Sequence, residues 1–179
     1  MVAPMTRALP SPTGFAAPAL AGLGVLMLAG ALAFQHIGGL APCALCIEQR
    51  KAWAAVIVLA LLAIAAGRLG WRRAATAGLV LAAVAALTGA GVALFHVGVE
   101  QQWWPGTASC GAGFETFGQG SVADMRERLL ARPVVRCDEV AWSMLGISMA
   151  GWNGLIALAA GLAGLWTVKR DFSARKPGR

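Results

Sequence analysis

The run AATAGLVLAAVAALTGAGVALFHVGV, Ala74 to Val99, holds 26 residues without a formal charge. At 1.5 Å per residue, a helix of that length outspans the ~30 Å hydrocarbon core of a bilayer. Three more uncharged blocks flank it. No charged residue lies between Arg7 and Glu48, and Phe15 to Phe34 supplies a first apolar stretch of 20 positions. Ala52 to Gly67 gives 16 residues between Lys51 and Arg68, and Val140 to Val168 gives 29. The second block is short, roughly 24 Å of helix, so Lys51 and Arg68 are expected to snorkel or the bilayer to thin there. With 58% apolar and 13% charged residues and a mean hydropathy of +0.67, the chain is excluded from soluble enzymes, collagens and disordered proteins. The expected spans are 15–36, 52–67, 74–96 and 142–168, with loops at 37–50 and 97–141, and residues 1–179 form one membrane domain.

An even number of spans puts both termini on one side. The terminal tails and the turn after the second span carry nine bases against Asp171, giving +8, while the other side carries six bases and seven acids, giving −1. By the positive-inside rule the termini are cytoplasmic and the loops at 37–50 and 97–141 face outward. The net charge of +7 therefore reads as membrane topology, with no nucleic-acid partner. The alternative of a cleaved secretory signal in the first block, ending near Ala31-Leu32-Ala33, conflicts with its length. Spacings such as Ala157 with Gly161 and Ala160 with Gly164 suit close helix packing in lipid.

All four cysteines, Cys43, Cys46, Cys110 and Cys137, fall in or beside the outward loops, the side on which disulfides form and persist. Two structural staples would be the plainest use of them. The Cys43-Ala44-Leu45-Cys46 run argues otherwise, because a bridge across so small a ring constrains an unfolded chain little. Thiols at a helix amino terminus feel the positive end of the backbone dipole and gain reactivity. Arg50, one turn past Cys46, brings a guanidinium to the same face, where it serves either that sulfur, a bound electron acceptor, or lipid headgroups. A zinc site would want a second close cysteine pair, and haem attachment would want His after Cys46, where Ile47 stands. Two dithiols on one membrane face, one at the lipid boundary and one on a long loop, can pass electrons by thiol–disulfide exchange to a lipid-soluble acceptor. A thiol-based membrane metal-ion carrier is the alternative, and it leaves Cys110 and Cys137 unexplained.

The long loop holds Trp103-Trp104-Pro105-Gly106 and a glycine-rich run around Cys110, which suggests an exposed, adaptable sulfur. Apolar residues Val122, Met125, Leu129 and Leu130 recur at near-helical spacing after Ser121, which predicts a short helix lying on the bilayer surface. His96, near the outer end of the third span, is a candidate donor to an acceptor's carbonyl or a proton carrier, whereas His36 with Gln35 reads as polar capping of the first span.

Phe34-Gln35-His36, Pro42-Cys43-Ala44-Leu45-Cys46-Ile47 with Arg50, Trp104-Pro105-Gly106 before Cys110, and Val135-Arg136-Cys137-Asp138 before Gly151-Trp152-Asn153 together resemble the disulfide bond formation protein B (DsbB) family, in the family's order over residues 30 to 155. The resemblance implies an all-α, four-transmembrane-helix bundle with a long periplasmic loop carrying a short interfacial helix. It implies a quinone reductase of the bacterial inner membrane that reoxidises a DsbA-like periplasmic thiol oxidase, with ubiquinone or menaquinone as cofactor and the quinone pool and lipid bilayer as further partners. On the same resemblance Cys110 is attacked by the reduced partner, Cys137 is its disulfide mate, Cys43 exchanges with Cys137, Cys46 faces the quinone, and Arg50 and His96 hold it. Glu48-Gln49 departs from the family, whose better-known members have an aromatic and an acid there.

Overall fold

The computed structural model describes residues 12–107, 110 and 135–174. Four helices are long and apolar enough to cross a membrane, which makes this a multi-pass membrane protein. They are α1 (Pro12–His36), α2 (Ala44–Arg68), α3 (Arg72–Glu100) and α4 (Met149–Ala174). Each packs on its chain neighbour, and α1 also closes on α4, so the four form a ring. The predicted interfacial helix after Ser121 lies outside the described residues.

Charge marks the apolar stretches well and the helix ends poorly. α2 begins at Ala44, eight residues before the expected start at 52, so Glu48, Gln49, Arg50 and Lys51 sit in its first two turns and the preceding loop shrinks to 37–43. Cys43 supplies the cap: its backbone is extended, and its sulfur accepts from the Cys46 N–H at 3.2 Å, satisfying one of the orphan donors of the first turn. With 25 residues the helix is no longer short, and neither snorkelling nor thinning is needed. Lys51 and Glu48 pair at 2.6 Å on the exposed face.

The fourth span also starts later than the expected 142. Ser143–Met144 pairs antiparallel with Ile147–Ser148, a two-stranded hairpin and the only strand pair among the described residues. Its turn residues, Leu145 and Gly146, have φ of 55° and 77°, values that suit a two-residue hairpin and stop a helix. Ser148 Oγ then accepts from the Gly151 N–H at 3.1 Å and starts α4. At its other end α4 runs past the uncharged block to Ala174, where Arg170 lies 4.7 Å over the Trp166 ring. α3 extends to Glu100, so the long loop begins at 101 and not at 97.

Small residues fill the seams. Ala82, Ala83, Ala86, Ala157 and Ala160 are buried, and Gly161 and Gly164 lie against Ala83 of α3. A side chain on Gly161 would put its Cβ 2.9 Å from the Ala83 carbonyl and 2.6 Å from Leu87 Cγ. Gly161→Val should therefore cost about 1–3 kcal/mol of stability through overpacking, read as a lower thermal midpoint in lipid nanodiscs. Gly22→Ala, where a Cβ meets nothing within 4 Å, should leave that midpoint unchanged.

Candidate redox site

The amino end of α2, the carboxyl ends of α1 and α3, and the hairpin before α4 meet at one end of the bundle. There Cys43, Cys110 and Cys137 form one buried cluster with Leu45 and Val99, against which Cys46 and Phe95 pack. Cys110 and Cys137 are joined in a disulfide whose Cα atoms are 5.2 Å apart. Cys43 and Cys46 are thiols with sulfurs 2.8 Å apart. Donation from the Cys43 S–H to the Cys46 sulfur, reinforced by burial, pushes the Cys43 thiol well above the ordinary thiol range.

The loop sulfur is not exposed, as the glycine-rich run had suggested. Cys110 is only 7% exposed, because the disulfide draws it into the apolar cluster, but Cys137 is more enclosed still at 0%. Trp104 fixes the approach to it. Its ring stacks on Phe95, its Nε1 donates to the Phe95 carbonyl at 3.0 Å, and it lies flat over Gly98. Beyond Cys137, Arg136 grips Asp138 through two hydrogen bonds of 3.0 and 2.6 Å, which holds the Asp138 carboxyl below the usual carboxylate range.

A cavity of about 370 Å³ opens beside the dithiol. Cys46, Arg50 and His96 line it together with apolar walls that include Met27, Phe34 and Trp142, the last two in ring contact at 5.2 Å. Arg50 turns into the protein: it donates to Gln35 Oε1 and, at 3.1 Å, to the Ala31 carbonyl, so it clasps α1 to α2. Gln35 is thus a structural partner of Arg50, while His36 is exposed. His96 is buried, with Nε2 3.6 Å from Cys43 Sγ.

Sequence reasoning missed four polar residues around that histidine. Gln49, Trp53 and Asn153 form a hydrogen-bonded chain to it, and the Glu100 carboxyl, 5% exposed, lies 3.9 Å from its Nε2. The signal was available. Gln49 and Trp53 follow Cys46 at helical spacing, Glu100 follows His96 by one turn, and polar groups inside a span usually serve a purpose.

The sequence model of Disulfide bond formation protein DsbB matches residues 14–167 of this chain. The chain belongs to that family of thiol oxidoreductases. Similar proteins include the Disulfide bond formation protein B of Azoarcus sp. strain BH72, 35% identical over 144 residues, covering 78% of this chain and 82% of the relative. That of Acidovorax sp. strain JS42 is 38% identical over 130 residues, 72% of each chain. That of Xanthomonas oryzae pv. oryzae is 36% identical over 166 residues, 86% and 90% of the two chains. The region matched by the family model holds all four cysteines and every polar residue around His96.

Proposed function

We propose that this protein sustains disulfide bond formation by taking an electron pair from a reduced, DsbA-like periplasmic thiol oxidase and passing it through its two cysteine pairs to membrane quinone. The observation that carries the reading is the gathering of Cys43, Cys110 and Cys137 into one buried cluster, with Cys46 packed against it, beside an apolar cavity. In the first step the partner's thiolate attacks Cys110, the more open sulfur of the loop pair. A mixed disulfide forms, the Cys110–Cys137 bond breaks, and the electron pair goes to Cys137. The Cys137 thiolate then attacks the Cys43–Cys46 disulfide at Cys43, which forms a Cys43–Cys137 bond and leaves the pair on Cys46. The partner's second thiolate breaks the mixed disulfide and the partner departs oxidised; the freed Cys110 thiolate attacks Cys137, restoring the loop disulfide and releasing Cys43. The state with a loop disulfide and a Cys43–Cys46 dithiol is the one in which the electrons have reached the membrane pair.

The cavity fits a planar apolar ring with polar edges. Its walls are mostly apolar, and Cys46, Arg50 and His96 supply the polar contacts. A quinone held there would accept two electrons and two protons. Arg50, already oriented by Gln35 and Ala31, would hold one edge of the ring, and Phe34 and Trp142 would flank it. The surplus of bases on the terminal side supports a reading in which the amino and carboxyl ends face the cytoplasm of a bacterial inner membrane and the redox end faces the periplasm.

The test is turnover by the purified chain in nanodiscs. Oxidation of a reduced DsbA-like protein should require added quinone, with one quinone reduced per disulfide formed. Arg50→Ala should weaken apparent quinone affinity about tenfold, the scale of a lost charge-assisted hydrogen bond, with the Cys110–Cys137 disulfide intact. An unchanged quinone dependence would return Arg50 to clasping helices alone.

A second reading rests on one further observation: ligand atoms of Cys43, Cys46 and His96 all lie within 4.8 Å of one another. Such a donor set suits a soft cation. Tight zinc binding by the reduced chain, with no quinone-dependent turnover, would favour a metal-ion carrier.

A further inference from the structure

A single file of polar groups runs through the apolar bundle and ends on His96. Trp53 Nε1 lies 2.7 Å from Asn153 Oδ1, Asn153 Nδ2 lies 2.6 Å from Gln49 Oε1, and Gln49 Nε2 lies 2.9 Å from His96 Nδ1. The direction of this chain is set at its far end. An indole N–H can only donate, so Asn153 must present its oxygen to Trp53 and its NH2 to Gln49. Gln49 must then accept through its oxygen and donate through its NH2. His96 Nδ1 receives that donor, so Nδ1 is bare and the imidazole proton sits on Nε2. Turning either amide over would set N–H against N–H and leave a donor unmade.

The protonated nitrogen faces the chemistry. Nε2 is 3.6 Å from Cys43 Sγ and 3.9 Å from the Glu100 carboxyl, and the ring also hydrogen-bonds the main chain of Cys137. We propose that Trp53, Asn153 and Gln49 are positioning residues that lock His96 as its Nε2–H tautomer, making it a fixed hydrogen-bond donor to the Cys43 sulfur during thiol–disulfide exchange. The proposal rests on the redox reading of the dithiol given above. When the Cys110 thiolate attacks Cys137 of the transient Cys43–Cys137 disulfide, the bond between Cys137 and Cys43 breaks and its electron pair goes to Cys43. The Nε2–H stabilises the thiolate so formed. His96 keeps its proton throughout and is not the base.

The test reads the proton directly, by 15N NMR of the full-length chain in nanodiscs with labelled histidine, the His96 signals being assigned by their loss in His96→Asn. The wild type should show a bare Nδ1 and a protonated Nε2. Asn153→Asp should invert this. A carboxylate there accepts from both Trp53 and the Gln49 NH2, so Gln49 turns its oxygen to the ring and the proton moves to Nδ1. In the same variant the exchange between the loop disulfide and the Cys43–Cys46 pair should slow by about tenfold or more, the scale of a lost hydrogen bond to a charged group. Should that variant fail to fold, Gln49→Glu forces the same inversion one link nearer the ring. A wild type protonated at Nδ1, or a folded variant in which the proton stays on Nε2, would overturn the proposal. The expected tautomers without quinone-dependent turnover would instead uphold the chain of donors and overturn the proposed function.

Discussion

Cys110→Ser should reduce oxidation of the thiol partner by roughly three orders of magnitude or more, the scale on which removal of a covalent participant acts. Added quinone should still oxidise the pre-reduced Cys43–Cys46 pair at close to the wild-type rate, because the cavity that touches Cys46 does not include Cys110. Stopped-flow loss of quinone absorbance separates the two reactions. The reason lies in the order of the sulfurs. Cys137 is fully enclosed while its mate is slightly open, so a bulky partner has one point of entry, and the pair nearest lipid does not meet it. Full partner turnover in Cys110→Ser would reverse that order.

Gly98→Val should have the second largest effect, through geometry alone. Even a Cβ at Gly98 would fall within the Trp104 ring, so the indole must leave its place on Phe95 and give up its bond to the Phe95 carbonyl. The next residues carry the loop toward Cys110, and a Cβ added at Gly106 would lie 2.9 Å from the Cys110 Cβ. With that anchor gone, electron transfer from the loop pair to Cys43 should fall about ten- to hundredfold, since misplacement of reacting groups by about 1 Å costs on that order. Quinone oxidation of the Cys43–Cys46 pair should be nearly unaffected. Equal slowing of both steps would mean that Trp104 supports the whole bundle.

The number of spans, the family and the gathering of the sulfurs at one end of the bundle were legible in the sequence, because each depends on composition or on spacing along the chain. Helix ends were less so. The charged group Glu48 to Lys51 looked like the edge of a span, yet a helix tolerates charges in its outer turns, and the Cys43 cap, which fixes where α2 begins, is a property of backbone shape. Leu145-Gly146 carried a weak turn signal inside an uncharged block, and its hairpin became visible only when both φ angles proved positive. Cys46, Arg50 and His96 could be named as candidates one at a time. The partnership of Gln49 with Asn153, 104 positions apart, has no local signature and exists only because α2 and α4 pack side by side.

Both sulfur pairs, the cavity and His96 lie at a single end of the helices, which has a consequence for the cell's energy supply. In the proposed relay the sulfur-to-sulfur part of the route would run sideways along one end of the bundle and cross almost none of the membrane's thickness. A charge crossing the whole bilayer would exchange about 2.3 kcal/mol for every 100 mV of voltage, and a lateral path exchanges almost none. If the proposed relay to quinone operates, disulfide formation draws its driving force from the redox level of the quinone pool, and a membrane whose voltage had collapsed would still let electrons move along this chain of sulfurs.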